Sequence, residues 1–154
     1  MRPQRYCRGE PLVPLLASEH FSHAFAGWAA TRGDIVGVAL VGSFARGTAT
    51  STSDIDLLVL TTAPTDYLAQ TKWAHAFGVV QREQQEDGGA VRSLRVWYVD
   101  GREVEYGFTL PNWANLPPDD GTRAVTSEGI RVLFDPLGML EALRTEIERT
   151  NRGS

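Results

Sequence analysis

The stretch Val41-Gly42-Ser43-Phe44-Ala45-Arg46-Gly47, followed by Ser53-Asp54-Ile55-Asp56-Leu57-Leu58-Val59, decides how this chain is read. Ten residues separate Ser43 from Asp54. Gly42 and Ser43 close an apolar run from Ile35 to Val41 that reads as a buried strand, and Ile55 to Leu60 reads as another. Residues two apart on a strand point to the same side, so Asp54 and Asp56 share one face while Ile55 and Leu57 turn to the core. Two carboxylates held side by side repel each other and require a cation. A hard divalent ion with oxygen ligands, Mg²⁺ by preference, suits them, and such an ion is often shared with the phosphates of a bound nucleotide. Gly42 lets the backbone come close to those phosphates, and Ser43 offers both a hydroxyl and an amide N–H.

Outward from this stretch the pattern is that of an α/β (α+β) scaffold, a mixed β-sheet with flanking helices. Residues 1–14 hold Pro3, Pro11 and Pro14 and several arginines without a period, which predicts an irregular arm. Ser18 is suited to cap a helix whose apolar face is Phe21, Ala24, Phe25, Trp28 and Ala29, with Gly33 as its stop. Phe44 to Thr48 predicts a short helix with its first N–H groups facing an anion. Pro64-Thr65-Asp66 opens a helix expected to run to Phe77, with Gly78 ending it. Val79–Gln84, Val91–Val99 and Arg102–Leu110 read as strands, the last two joined by a two-residue hairpin turn at Asp100-Gly101. After a proline-containing loop from Pro111 to Gly121, a short helix at 122–127, a strand at 130–134 and a helix opened by Asp135-Pro136 are expected.

Size and charge set further bounds. A chain of 154 residues suits one domain with a proper core. No apolar run approaches the roughly 18 residues of a membrane span, and no signal-peptide apolar segment follows the basic N-terminus, so a cytoplasmic protein is expected. Cys7 is the one cysteine and has no partner for an internal disulfide. A net charge of −4 argues against a sequence-independent grip on long nucleic acid, while a small nucleotide carried with its metal remains compatible. His20 and His23, three apart on a helix, lack the further ligands a metal site needs. Trp28 and Trp73 read as packing residues, and Trp113 as packing beneath its loop or as a surface for stacking.

Gly-Ser, a gap of ten and Asp-x-Asp with apolar flanks resembles the nucleotidyltransferase superfamily of DNA polymerase beta. The fuller string, Gly42 to Gly47 and Ser53 to Leu57, resembles its small bacterial members, the minimal nucleotidyltransferases, and the catalytic domain of aminoglycoside nucleotidyltransferases. The combination is far more specific than a lone glycine-rich loop. The resemblance covers roughly residues 34–110 and implies a third carboxylate on a later strand beside the Asp-x-Asp strand. Glu105, between Val104 and Tyr106, matches that pattern best, and Glu103 is the rival on the same face.

The resemblance also implies the chemistry. Asp54, Asp56 and Glu105 are the expected catalytic and metal-binding residues, holding two Mg²⁺ ions for which Mn²⁺ can substitute. Gly42, Ser43, Arg46 and Ser53 are the expected nucleotide-binding residues, with Ser53 steadying the start of the Asp strand. The expected reaction transfers a nucleoside monophosphate, AMP from ATP among the relatives, to a hydroxyl acceptor with release of pyrophosphate. The sequence has one convincing helix after the core, too little for the helical acceptor-binding domain of the aminoglycoside-modifying relatives. The acceptor is therefore expected in an open cleft, at a homodimer interface or on a partner. The alternative is an antitoxin-type module beside a small helical HEPN toxin, or a nucleotide-binding module without catalysis.

Overall fold

The computed structural model describes residues 12–49 and 54–152. The first helix, α1 (Leu12–Ala30), starts ahead of the Ser18 cap expected from sequence. Leu15, Leu16 and Ala17 favour helix and Ser18 is tolerated within it, so helix replaces the irregular backbone expected for residues 12–14. The rest of the expected arm lies outside the described residues. None of the described helices is long and apolar enough to cross a membrane.

One mixed sheet of six strands organises the described residues. The strands are β1 (Ile35–Val41), β2 (Ile55–Thr61), β3 (Val80–Asp87), β4 (Arg92–Tyr98), β5 (Glu103–Thr109) and β6 (Ile130–Phe134), in the order β3-β4-β5-β2-β1-β6. All neighbours are antiparallel except β2 and β5, which run parallel. Helices flank the sheet, as the α+β reading expects.

Alternation along the strands sorts side chains between two faces. Ile55, Leu57 and Val59 of β2, Leu94, Val96 and Tyr98 of β4, and Val104, Tyr106 and Phe108 of β5 form one core with Phe21 and Phe25 of α1. Trp28 and Trp73 pack against that core, their rings stacked at 5.7 Å, which bears out their reading as packing residues. On the other face Ala39, Leu58 and Leu60 meet Trp113, Ala114 and the last helix (Met139–Arg152), through Leu140, Leu143 and Ile147. Trp113 is buried there and offers no open stacking surface. The apolar cover of this second face takes in Leu58 and Leu60 but not Asp56, Glu105 or Arg95, which remain half-buried.

Two local expectations are corrected. The helix expected over Pro64–Phe77 is broken into α3 (Pro64–Ala69) and a 3₁₀ helix (Lys72–Phe77), with Gln70 extended between them. The break lets the Trp73 indole N–H donate to the Tyr67 carbonyl at 2.9 Å and seats its ring edge-on against Tyr106. The β4–β5 hairpin closes through Val99-Asp100-Gly101 rather than a two-residue turn, with the Tyr98 N–H donating to the Arg102 carbonyl at 2.9 Å. Gly101, at φ +100°, supplies the left-handed residue that a three-residue loop requires. That extra residue sets which side chains of β4 face Glu105.

Candidate active site

β1 ends at Val41, which pairs in register with Asp56 of β2. The chain then turns through Gly42 into α2 (Ser43–Arg46), a single turn closed by a left-handed Gly47. Gly42 has φ +75° and ψ −155°, a conformation that L side chains rarely adopt. A Cβ at this position would collide with a carboxylate oxygen of Asp56 and lie 3.3 Å from its Cγ. The glycine is therefore required twice, by the backbone angle and by the Asp56 side chain packed against it.

Across the parallel β2–β5 pair, Asp56 stands directly beside Glu105, and across the antiparallel β4–β5 pair, Glu105 stands beside Arg95. These three form one continuous row over three strands. Glu103 lies two residues before Glu105 on the same face, beside Trp97. Asp54 enters the same cluster through Arg95. The guanidinium Nη1 donates to Asp54 Oδ2 at 2.8 Å and to Glu103 Oε2 at 2.7 Å, Nη2 donates to Glu105 Oε1 at 2.7 Å, and Nε donates to Glu86 Oε2 at 3.1 Å.

Asp56 receives no hydrogen bond from this arginine. Burial, together with the neighbouring charges of Glu105 and Asp54, pushes its carboxyl up to about 6, against a partial opposing pull from Arg95. Arg95 is held still more firmly as a cation by the acids it binds, despite the desolvation that opposes its charge. Five carboxylates, those of Asp54, Asp56, Glu86, Glu103 and Glu105, thus surround a single guanidinium. The all-oxygen donor set and the strained charge of Asp56 suit a hard divalent cation. Among the described residues, however, no three acidic, imidazole or thiol groups are already gathered closely enough to hold a metal ion. Arg95 stands between the acids.

Of the residues singled out from sequence, Gly42, Asp54, Asp56 and Glu105 come together here, with Glu103 at the margin. Ser43 follows Gly42 at the head of α2 and is half-buried. Arg46 is turned toward Glu128, 3.3 Å away, in an exposed pair worth at most about 1 kcal/mol. Ser53 lies outside the described residues. His20 borders a cavity with Phe21, Ala24 and Phe77, away from the acids. Arg95 and Glu86 were not singled out from sequence. Their signal is the alternation of Ser93, Arg95 and Trp97 against the buried Leu94, Val96 and Tyr98, legible once the hairpin loop is counted as three residues.

Comparison with known proteins identifies the family of this domain. A family model described as a nucleotidyltransferase domain matches residues 28–111. No curated protein matches the sequence. Among solved structures, an aminoglycoside 6-adenyltransferase from Bacillus subtilis is similar at 17% identity and a TM-score of 0.50, over 64% of this chain and 36% of that one. Cid1 in complex with its short product ApU is similar at 18% identity and a TM-score of 0.46, over 61% of this chain and 30% of that one. This chain thus spans about a third of the length of these structures. At 17% identity the likeness to the adenyltransferase speaks for the fold alone. The family model, in contrast, spans more than half of the sequence, from α1 through the end of β5, and includes the whole carboxylate row. This chain belongs to the nucleotidyltransferase domain family.

Proposed function

We propose that this chain is a Mg²⁺-dependent nucleotidyltransferase that moves a nucleoside monophosphate, AMP from ATP, onto a hydroxyl acceptor and releases pyrophosphate. The observation that carries this reading is the packing of Gly42 against Asp56, with Glu105 beside Asp56 on the parallel strand. The Gly-Ser turn and the acidic row thereby form one candidate site. Asp54, Asp56 and Glu105 would hold the divalent ions, which supply positive charge to the triphosphate and the leaving pyrophosphate.

The chain's own groups do the rest by position. Gly42 lets the turn lie directly against Asp56, and Ser43 provides a hydroxyl and an amide N–H to bind phosphate oxygens. Arg46 joins them if it leaves its weak exposed pair with Glu128. The acceptor oxygen forms a bond to the α-phosphorus as the bond from that phosphorus to the bridging oxygen breaks. Glu105 takes the proton that the hydroxyl gives up. Alignment and charge stabilisation supply most of the rate, as in other phosphoryl transfers.

The test uses each of the four nucleoside triphosphates labelled at the α-phosphate, with Mg²⁺ and in turn a polyhydroxylated small-molecule mixture, an RNA oligonucleotide and a protein mixture. Label from ATP passing to one acceptor class, with matching pyrophosphate release, is expected. Both should vanish in Asp54→Asn. Transfer that persists undiminished in that variant would contradict the site assignment.

A further inference from the structure

Arg95 is the most heavily bonded side chain among the described residues near the acidic row, and the proposed reaction gives it no task. Its three guanidinium nitrogens reach four carboxylates, and only 18% of its side chain is exposed. These four acids fall into two pairs. Asp54 and Glu105 belong to the set proposed to bind the divalent ions. Glu86, on edge strand β3, and Glu103, next to the hairpin loop, do not. The guanidinium bridges the two pairs at hydrogen-bond distances of 2.7–3.1 Å.

We propose that Arg95 is a resident counter-cation that a divalent ion must displace: the guanidinium leaves Asp54 and Glu105 and withdraws onto Glu86 and Glu103. This inference rests on the metal-binding reading of the preceding section and concerns how that same site is loaded. Two observations support an exchange rather than joint occupancy. Asp54 Oδ2 and Glu105 Oε1 point at the guanidinium, and no three acids are gathered for a metal while they do so. A cation brought among these acids would also lie close to another positive charge at low solvent exposure, where repulsion is poorly screened. Withdrawal has a place to go, because Glu86 and Glu103 already hold the Nε and Nη1 ends of the same group. It also gives Glu103 a role distinct from that of Glu105.

Arg95 is thus a positioning residue that keeps the metal-free acids in place and sets the affinity for metal. A site occupied nine-tenths of the time by its own side chain binds a ligand about tenfold more weakly than the same site left open. The experiment measures Mn²⁺ affinity by the loss of the free-ion electron paramagnetic resonance signal, without nucleotide, on the full chain. Melting temperature is recorded in parallel with EDTA and with saturating Mn²⁺.

Arg95→Gln is expected to bind Mn²⁺ about tenfold more tightly than wild type. It should melt below wild type in EDTA and recover that deficit when Mn²⁺ is added. Arg95→Lys, which keeps the charge without the fork, should fall between the two and serves if the glutamine variant does not fold. Arg82→Gln removes an equal charge from β3, where Arg82 lies over the Trp97 ring, and should shift affinity less than about twofold. Equal or weaker Mn²⁺ binding in Arg95→Gln, with binding still lost in Asp56→Asn, overturns the exchange and leaves the metal site standing. An equal gain in Arg82→Gln also overturns it, since general charge would then explain the effect. Absence of Mn²⁺ binding in wild type and Arg95→Gln alike overturns both readings.

Discussion

Asp56→Asn is expected to lower nucleotidyl transfer by on the order of 10³-fold while making the metal-free protein more stable at neutral pH. The activity loss follows from removing a charged oxygen at the end of the row nearest the Gly-Ser turn, beside Glu105 and against Gly42. The stability gain follows from the carboxyl being pushed up to about 6, above the 3.8 of an unperturbed aspartate. A group whose folded pKa lies above its unfolded value weakens the fold wherever it must ionise. The penalty is absent below about pH 4, grows as pH rises through the folded value near 6, and is constant above it. The full shift would correspond to about 3 kcal/mol, which partial solvent access reduces to roughly 1–2 kcal/mol. Urea unfolding of both proteins in EDTA between pH 4 and pH 8 checks this. The two curves should coincide at the acid end and separate by pH 7, with the variant the more stable. A wild type that gains stability relative to Asp56→Asn as pH rises would contradict the assignment of Asp56 as a strained anion.

Gly42→Ala carries the second large effect. The left-handed backbone alone costs an alanine on the order of 1–2 kcal/mol. The new methyl also collides with the Asp56 carboxylate and forces it from its position in the row. Together these are expected to lower the melting temperature by roughly 4–8 °C for a chain of this size. A displacement of about 1 Å at a reacting group costs on the order of 10²-fold in rate, so transfer should fall at least that far. The two contributions separate in a double-mutant cycle. In an Asp56→Ala background the collision partner is gone, and Gly42→Ala should cost only the backbone part, on the order of 1–2 kcal/mol. Full additivity of the two substitutions would mean that Gly42 and Asp56 are not packed together.

What the sequence revealed, and what it hid, follows the range of the interactions involved. The Gly-Ser turn, the Asp-x-Asp strand and the strand holding Glu105 are local patterns of apolar alternation, and the observed β1, β2 and β5 fall within a residue or two of the expected bounds. The break at Gln70 was hidden because it is set by where Trp73 packs on Tyr106 and Phe108, contacts to a strand more than thirty positions later in the chain. Arg46 turns to Glu128 for the same reason, a partner 82 residues away.

Arg95 was hidden by a single residue. A two-residue turn at Asp100-Gly101 would pair Glu105 with Val96, which would leave Arg95 facing the opposite side of the sheet. The observed loop of Val99, Asp100 and Gly101 pairs Glu105 with Arg95. A one-residue change of register exchanges every side chain between faces, and here it decides whether the acidic row has a cation of its own.

The choice between Glu105 and Glu103 is also one of register. Glu105 is the direct neighbour of Asp56, whereas Glu103 falls beside Trp97 and shares Arg95 from the outer side. Glu105 is therefore the better candidate for the third carboxylate, and Glu103 for the residue that receives Arg95.

Nucleotide and metal are expected to meet at Asp54 and Asp56. Calorimetric titration of ATP into the wild-type chain and into Asp54→Asn/Asp56→Asn, each with Mg²⁺ and with EDTA, tests this most directly. Binding to wild type that requires Mg²⁺ and disappears in the double variant is the predicted result. Equal binding to both proteins, or binding to wild type that is indifferent to Mg²⁺, would contradict it.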